Sequence, residues 1–235
     1  MALAFTAPSP IAEVSDVDAS SYTTTATAGA NNKLYLITVE NSHATAPALP
    51  TLTHSGGLTC VEIANSVASN RRVTLFRALK TTGVSAGTFT ADAAGATQTS
   101  WSVVVDESNT EVDTTGTDGA GAIVQSDTSA GSGTTATGNL AAFADAVNNA
   151  AFMATMNNLN SPITEEAGYT ELADLGHANP TRRVETEYKL GEDTSVTSTF
   201  SSAAWHCIAV EVKAAAGAAA ASLLWNPSVF PLRNL

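Results

Sequence analysis

Two pairs of glutamates are the residues of this 235-residue chain whose types suggest acid–base chemistry. Glycoside hydrolysis needs two carboxylates about 5–10 Å apart across a cleft. Glu165 and Glu166 are adjacent, so their side chains diverge. Glu185 and Glu187 alternate with Val184 along a strand-like run and fall on the face predicted for solvent. Neither pair predicts a catalytic centre.

The histidines are predicted to be structural. None of His43, His54, His177 and His206 has the spacing of a zinc motif such as H-E-x-x-H. His43 and His54 flank one loop, which leaves a metal site there as the less favoured alternative. His206 alternates with apolar residues on a strand, which favours a partly buried, hydrogen-bonded ring over a ligand.

The two cysteines, Cys60 and Cys207, each lie in an apolar run. This predicts two buried free thiols, with a single long-range disulfide left open. Cys207 is next to His206, but neighbours on a strand point to opposite faces, so the pair is not predicted to act as nucleophile and base. The chain has no G-x-S-x-G motif for a serine nucleophile.

An Asp- and Gly-rich segment at 113–121 offers oxygen ligands for calcium, but it lacks the EF-hand spacing and the bidentate glutamate. A plain glycine-rich turn is the favoured interpretation. The residues therefore predict no catalytic group, no metal site and no cofactor, and we expect the protein not to be an enzyme.

Composition narrows the range of partners. Net charge is −12 and only 14% of residues are charged, which disfavours nucleic acid and anionic membranes because both select Lys/Arg patches. The basic pairs Arg71-Arg72 and Arg182-Arg183 are predicted to be solvated strand ends. The N-terminus resembles no signal peptide, and no 18-residue apolar span is present.

The elements that must position these residues are strands. Apolar or alternating runs separated by polar turns recur about every ten residues, which predicts an all-β antiparallel sandwich of about eight to ten strands. The runs lie at 33–40, 58–63, 73–79, 101–106, 183–190, 195–200 and 205–212. Between them, 45–53 and 161–180 are predicted as loops, and 107–140 as a polar loop with a short strand at 122–126. Segment 140–158 predicts a turn or short helix, then a strand near 151–156.

The C-terminus is the most distinctive segment. We predict a sandwich domain over 1–213, followed over 214–235 by an Ala-rich spacer and an extended apolar docking arm. Exposed apolar clusters favour association, and prolines oppose regular secondary structure. The arm is expected to dock either on its own domain or on another subunit. The candidate interface residues are Leu223, Leu224, Trp225, Pro227, Val229, Phe230, Pro231 and Leu232.

The order of these segments resembles a known class of domain. It runs "NNKLYLITVENS", "GGLTCVEIA", "RRVTLFRAL", "GAIVQS", "VETEYKL" and "SSAAWHCIAVEVKAA". Over about residues 10–213 this is similar to the jelly-roll-type sandwich domains of bacteriophage virion proteins and related bacterial surface proteins. Cys60 stands where such domains often have Trp. The resemblance implies a jelly-roll fold and a virion context.

These observations together predict a non-enzymatic virion structural protein made in the host cytoplasm. The leading expectation is a capsid decoration or cement protein that packs on the phage head through its sandwich faces and its arm. Its expected partners are the major capsid protein or neighbouring virion subunits, and the expected assembly is a homo-oligomer with closed symmetry, for which we take a trimer. The alternative is a receptor- or glycan-binding module of a tail fibre or surface protein.

Overall fold

The fold is all-β. The computed structural model describes residues 1–217, and in this range thirteen strands and one short 3-10 helix, Ala120–Ala122, are present. The strands are β1 (Ile11–Ser15), β2 (Ser21–Thr27), β3 (Tyr35–Ser42), β4 (Thr51–His54), β5 (Val61–Ala68), β6 (Arg71–Ala78), β7 (Gly87–Asp92), β8 (Ser100–Glu107), β9 (Ile123–Asn139), β10 (Ala150–Asn157), β11 (Thr170–Ala178), β12 (Thr181–Leu190) and β13 (Ser195–Val212).

The strands form three antiparallel sheets packed against one another. The central sheet has the order β1-β8-β3-β6-β5, the long sheet β11-β12-β10-β13-β9, and the small sheet β2-β7-β4. Strand β3 shows how the layers meet. Its Tyr35 and Ile37 belong to one hydrophobic cluster with Phe89 of the small sheet, whereas Leu36 belongs to another cluster with Phe152 of the long sheet. The middle of the central sheet is therefore covered on both faces, which is why β3 is buried along its whole length.

The long sheet folds back over its own outward face. Strands β9 and β13 pair along most of their length, but the register shifts between Thr199 and Ala203. Beyond that shift, residues 135–139 and 195–200, here called the flap, lie over β10, and Val196 shares a hydrophobic cluster with Met153. Gly138 sits so close above Ala209 that a Cβ on residue 138 would lie 2.5 Å from the Ala209 Cβ. The long sheet is thus also covered on both faces.

The predicted all-β sandwich is confirmed, and the strand near 151–156 is present as β10. The prediction of a polar loop over 107–140 was wrong in its second half, which is the 17-residue strand β9. Its small polar residues give little strand signal because one side of β9 is largely exposed. Pairing with β13, rather than local propensity, makes it a strand.

Two other segments predicted as loops also contain strands. Edge strand β11 lies within 161–180, and its alternation is broken by an irregularity between Glu171 and Ala173. Edge strand β4 lies at the end of 45–53. The runs 195–200 and 205–212 are a single strand, β13. This merger lowers the strand count, but the strands found in the segments predicted as loops raise it above the predicted eight to ten. The jelly-roll connectivity stays a prediction.

Candidate functional site

The pair Glu185 and Glu187 lies inside the fold. Both side chains are fully shielded from solvent, so the prediction that they face water was wrong. The alternation along β12 is as predicted, but the face that carries the two glutamates is covered by the flap. The Ser198 hydroxyl of the flap is 3.0 Å from Glu187 Oε1 and 3.4 Å from Glu185 Oε2.

Glu166 belongs to the same cluster. Its backbone N–H donates to Glu187 Oε2 at 2.9 Å, and its own carboxylate accepts the N–H of Thr197 at 2.7 Å. Three of the four predicted candidate glutamates are therefore brought together by the tertiary structure. In the sequence these glutamates form pairs only by proximity along the chain, and no local pattern indicates that the flap covers them.

The buried position changes the acidity of this pair. Desolvation, followed by the charge of Glu187, raises the pKa of Glu185 well above its usual range. Desolvation also raises the pKa of Glu187 to about 7. The cations nearest along β12 are committed elsewhere, since Lys189 pairs with Asp193 and Arg183 with Asp174. The pair can take up and release protons, but its full burial leaves no open cleft for a sugar substrate.

Arg182 forms a second buried polar cluster, between the central and long sheets. Its guanidinium is ion-paired with Glu40 of β3, and both side chains are completely buried. It also donates to the hydroxyls of Ser100, at 2.6 Å, and Ser102, at 3.1 Å. The prediction that Arg182 is a solvated strand end was wrong, because its side chain lies on the inward face of β12.

Asp106 lies farther along the same interface. It accepts hydrogen bonds from the hydroxyls of Ser9 and Thr186, the latter at 3.2 Å. Burial raises the pKa of Asp106 to about 7. The sequence of β8 does not indicate this buried hydrogen-bonded carboxyl, because Asp106 directly follows three valines and is typical of the end of an apolar strand.

The histidines have separate structural partners. His43 Nδ1 lies 2.9 Å from Thr45 Oγ1, whereas His54 stacks near Phe89 with ring centroids 4.5 Å apart. His206 is 4% exposed, and its Nδ1 lies 2.8 Å from Ser66 Oγ, as the prediction of a hydrogen-bonded ring expected. No group of three or more potential metal ligands occurs within residues 1–217.

The two thiols are free, as predicted. Cys207 is fully buried under the flap and Cys60 is half-buried. Burial raises the pKa of both thiols to about 12. Cys207 and His206 lie in different surroundings, since Cys207 packs in the cluster beneath the flap and His206 bonds across to Ser66.

The segment 113–121 is held by protein contacts. Asp113 pairs with Lys213 at 2.7 Å and accepts the N–H of Thr115 at 2.7 Å. Gly116 and Gly119 have positive φ angles of 76° and 81°, which glycine adopts without strain. These contacts fit the predicted glycine-rich turn.

A groove of about 610 Å³ opens beside this turn, at the C-terminal end of the described chain. Its walls combine apolar and polar side chains. They include Ile123, Val124, Ala144, Asn148, Lys213 and Ala216, and its last wall residue is Gly217. The eight interface residues predicted between Leu223 and Leu232 follow a few positions later and lie outside the described residues.

A scan against protein-family models, a search of curated proteins and a search of solved structures each found no match to the chain. Within the described range, no helix is long and apolar enough to cross a membrane.

Proposed function

We propose that this chain is a non-enzymatic structural protein of a bacteriophage virion, and specifically a capsid decoration or cement protein that assembles through its C-terminal arm. One observation carries the proposal. Gly217, the last described residue, lines the groove, and the apolar segment that carries Leu223, Trp225 and Phe230 begins a few residues later in the chain. A terminal segment with this many large apolar side chains favours association with another protein surface, which we take to be a neighbouring subunit.

The state of the ionisable groups supports a structural role. Glu185, Glu187, Glu40 and Arg182 are buried and bonded to one another or to hydroxyls of neighbouring strands. They connect layers of the domain instead of lining a cleft.

The arm carries enough apolar surface to hold subunits together. Burying Trp225, Phe230 and two or three leucines against a partner would contribute roughly 5–10 kcal/mol before entropy costs. Repeated at symmetric positions of a shell, such arms would reinforce the contacts between neighbouring subunits.

The test compares the full chain with a version truncated after Ala221. We expect light scattering to show an oligomer for the full chain and a folded monomer for the truncation, with unchanged thermal unfolding of the sandwich. A full-length variant with Ser222, Asn226 and Asn234 changed to Ala is the matched control and should stay oligomeric, because those side chains are small or polar. Identical monomers for the full and truncated chains would contradict assembly through the arm.

The virion assignment needs its own measurement. Mass spectrometry of purified phage particles should find the chain in a fixed ratio to the major capsid protein, and adding the protein to particles stripped of it should restore that ratio. The truncated chain should fail to bind. If the chain instead binds glycans on an array, with or without its arm, the receptor-binding alternative replaces the decoration role.

A further inference from the structure

A small pocket at one end of the interface between the central and long sheets has no role in the proposed assembly. It encloses about 220 Å³ and is lined by the turn between β5 and β6, the end of β10 and the middle of β13. Liquid water takes about 30 Å³ per molecule, so this pocket has room for a small ion and a few waters. The lining residues used below are Ser69, Asn70, Arg71, Ala204 and His206.

The pocket is cationic in a strongly acidic protein. Arg71 is in its wall, and no Asp or Glu is among the described lining residues. None of the ion pairs formed within residues 1–217 includes Arg71. Arg182 and Arg183 of the second basic pair differ from it, since both have carboxylate partners.

Arg71 has donor capacity to spare. Its two terminal nitrogens donate to neutral oxygens, Asn70 Oδ1 at 2.9 Å and the Thr181 carbonyl at 3.3 Å. Its Nε is screened from solvent and has no partner in the described part of the chain. Because both acceptors are neutral, no hydrogen-bonded carboxylate compensates the charge of this guanidinium, and the side chain can attract an anion into the pocket.

His206 supplies a second donor. When the Ser66 hydroxyl donates to His206 Nδ1, the ring proton is on Nε2 and is free to be donated to a ligand. Burial and the charge of Arg71 lower the pKa of His206, which favours the neutral ring with this single proton. An anion bound between Arg71 and His206 would select that tautomer.

We propose that this pocket, between Arg71 and His206, binds a small oxyanion of the phosphate class. Such ions prefer planar guanidinium donors together with neutral N–H groups, which is the set the pocket offers. The inference does not depend on the role of the C-terminal arm.

The test is a titration of the full chain with inorganic phosphate, followed by amide chemical shifts in NMR spectra, with chloride replacing phosphate to hold ionic strength constant. We expect saturable shifts confined to Ser69, Asn70, Ala204 and His206. Arg71→Gln should weaken binding at least tenfold. Arg77→Gln, at the other end of the same strand and on the same face, should leave it unchanged.

A second variant guards against an Arg71→Gln protein that does not fold. Ser69 is exposed, and its φ of 54° is one that aspartate tolerates. Ser69→Asp places a negative charge at the rim without removing Arg71, and it should abolish the phosphate shifts. A parallel titration with acetate decides whether the pocket also accepts a carboxylate. Shifts that do not saturate with either ion, or that persist unchanged in both variants, would overturn the proposal.

Discussion

Arg182 and Glu40 form an ion pair between the central and long sheets, and neither side chain has any exposure to solvent. The pair joins β12 to β3 and is surrounded by serine hydroxyls of β8 and β3. Burial of this kind is costly for each charge alone, so each residue depends on the other. The ion pair therefore helps to define how the two sheets align.

Replacing Arg182 with Met should destabilise the protein by about 3–5 kcal/mol, because Glu40 would remain buried without a counter-ion. The measurement is urea unfolding at neutral pH. Lys189→Met, which breaks a partly exposed pair with Asp193, is the control and should cost at most about 1 kcal/mol. The double variant Glu40→Leu/Arg182→Met should recover most of the loss. If Arg182→Met and Lys189→Met lowered the free energy of unfolding equally, the buried ion pair would contribute no more to stability than the partly exposed one.

Stability should fall as the pH rises from about 4 to about 7. The pKa values of Asp106 and Glu187 are raised to about 7 in the folded state, so the folded protein binds protons that the unfolded chain has released. These groups contribute their full stabilisation at pH values below the pKa of the unfolded state. That stabilisation is lost as the pH rises through their pKa in the folded state. Denaturant titrations at a series of pH values check this, and a free energy of unfolding that rises across the window would contradict it.

The charge of Glu185 can be removed almost without changing the side chain's shape. Glu185→Gln should raise the free energy of unfolding at pH 8 by about 1–3 kcal/mol and flatten the pH dependence, because a neutral amide avoids repulsion with Glu187. Asp18→Asn removes an exposed carboxylate outside the long sheet, and it is the control that should have little effect. If Glu185→Gln did not stabilise the protein at pH 8, charge repulsion between Glu185 and Glu187 would not be destabilising the folded state.

The flap can be tested through the contact between Gly138 and Ala209. Gly138→Ala places a Cβ 2.5 Å from that of Ala209, so we expect a loss of about 1–3 kcal/mol from overpacking. Adding Ala209→Gly removes the clashing methyl, and the double variant should unfold closer to wild type than Gly138→Ala does. If the double variant instead lost as much thermal stability as the two single variants added together, residues 138 and 209 would not be in contact.

Trp225 tests the arm at a single position. Trp225→Ala should weaken self-association at least tenfold, since a large aromatic side chain often dominates an interface. Thermal unfolding of the sandwich should be unchanged. The measurement is sedimentation equilibrium at several concentrations, with Asn234→Ala as the control. If Trp225→Ala lowers the melting temperature of the monomer instead, the arm belongs to the core of its own domain.

The sequence was sufficient for the fold class because the core strands carry their own signal. Strands such as β3 and β8 are continuous apolar runs bounded by turns, and their strand character does not depend on distant residues. The free cysteines and the hydrogen-bonded His206 followed from the same patterns.

The charged residues of β12 mark what only the tertiary structure decided. The alternation of the sequence predicts Glu185 and Glu187 on one face of β12 and Arg182 on the other. The structure confirms this assignment of faces. Whether a face meets water depends on what packs against it, and here β9 and β13 fold back over one face while β3 and β8 cover the other. Periodicity records the direction of a side chain, whereas burial is fixed by contacts between residues far apart in the chain.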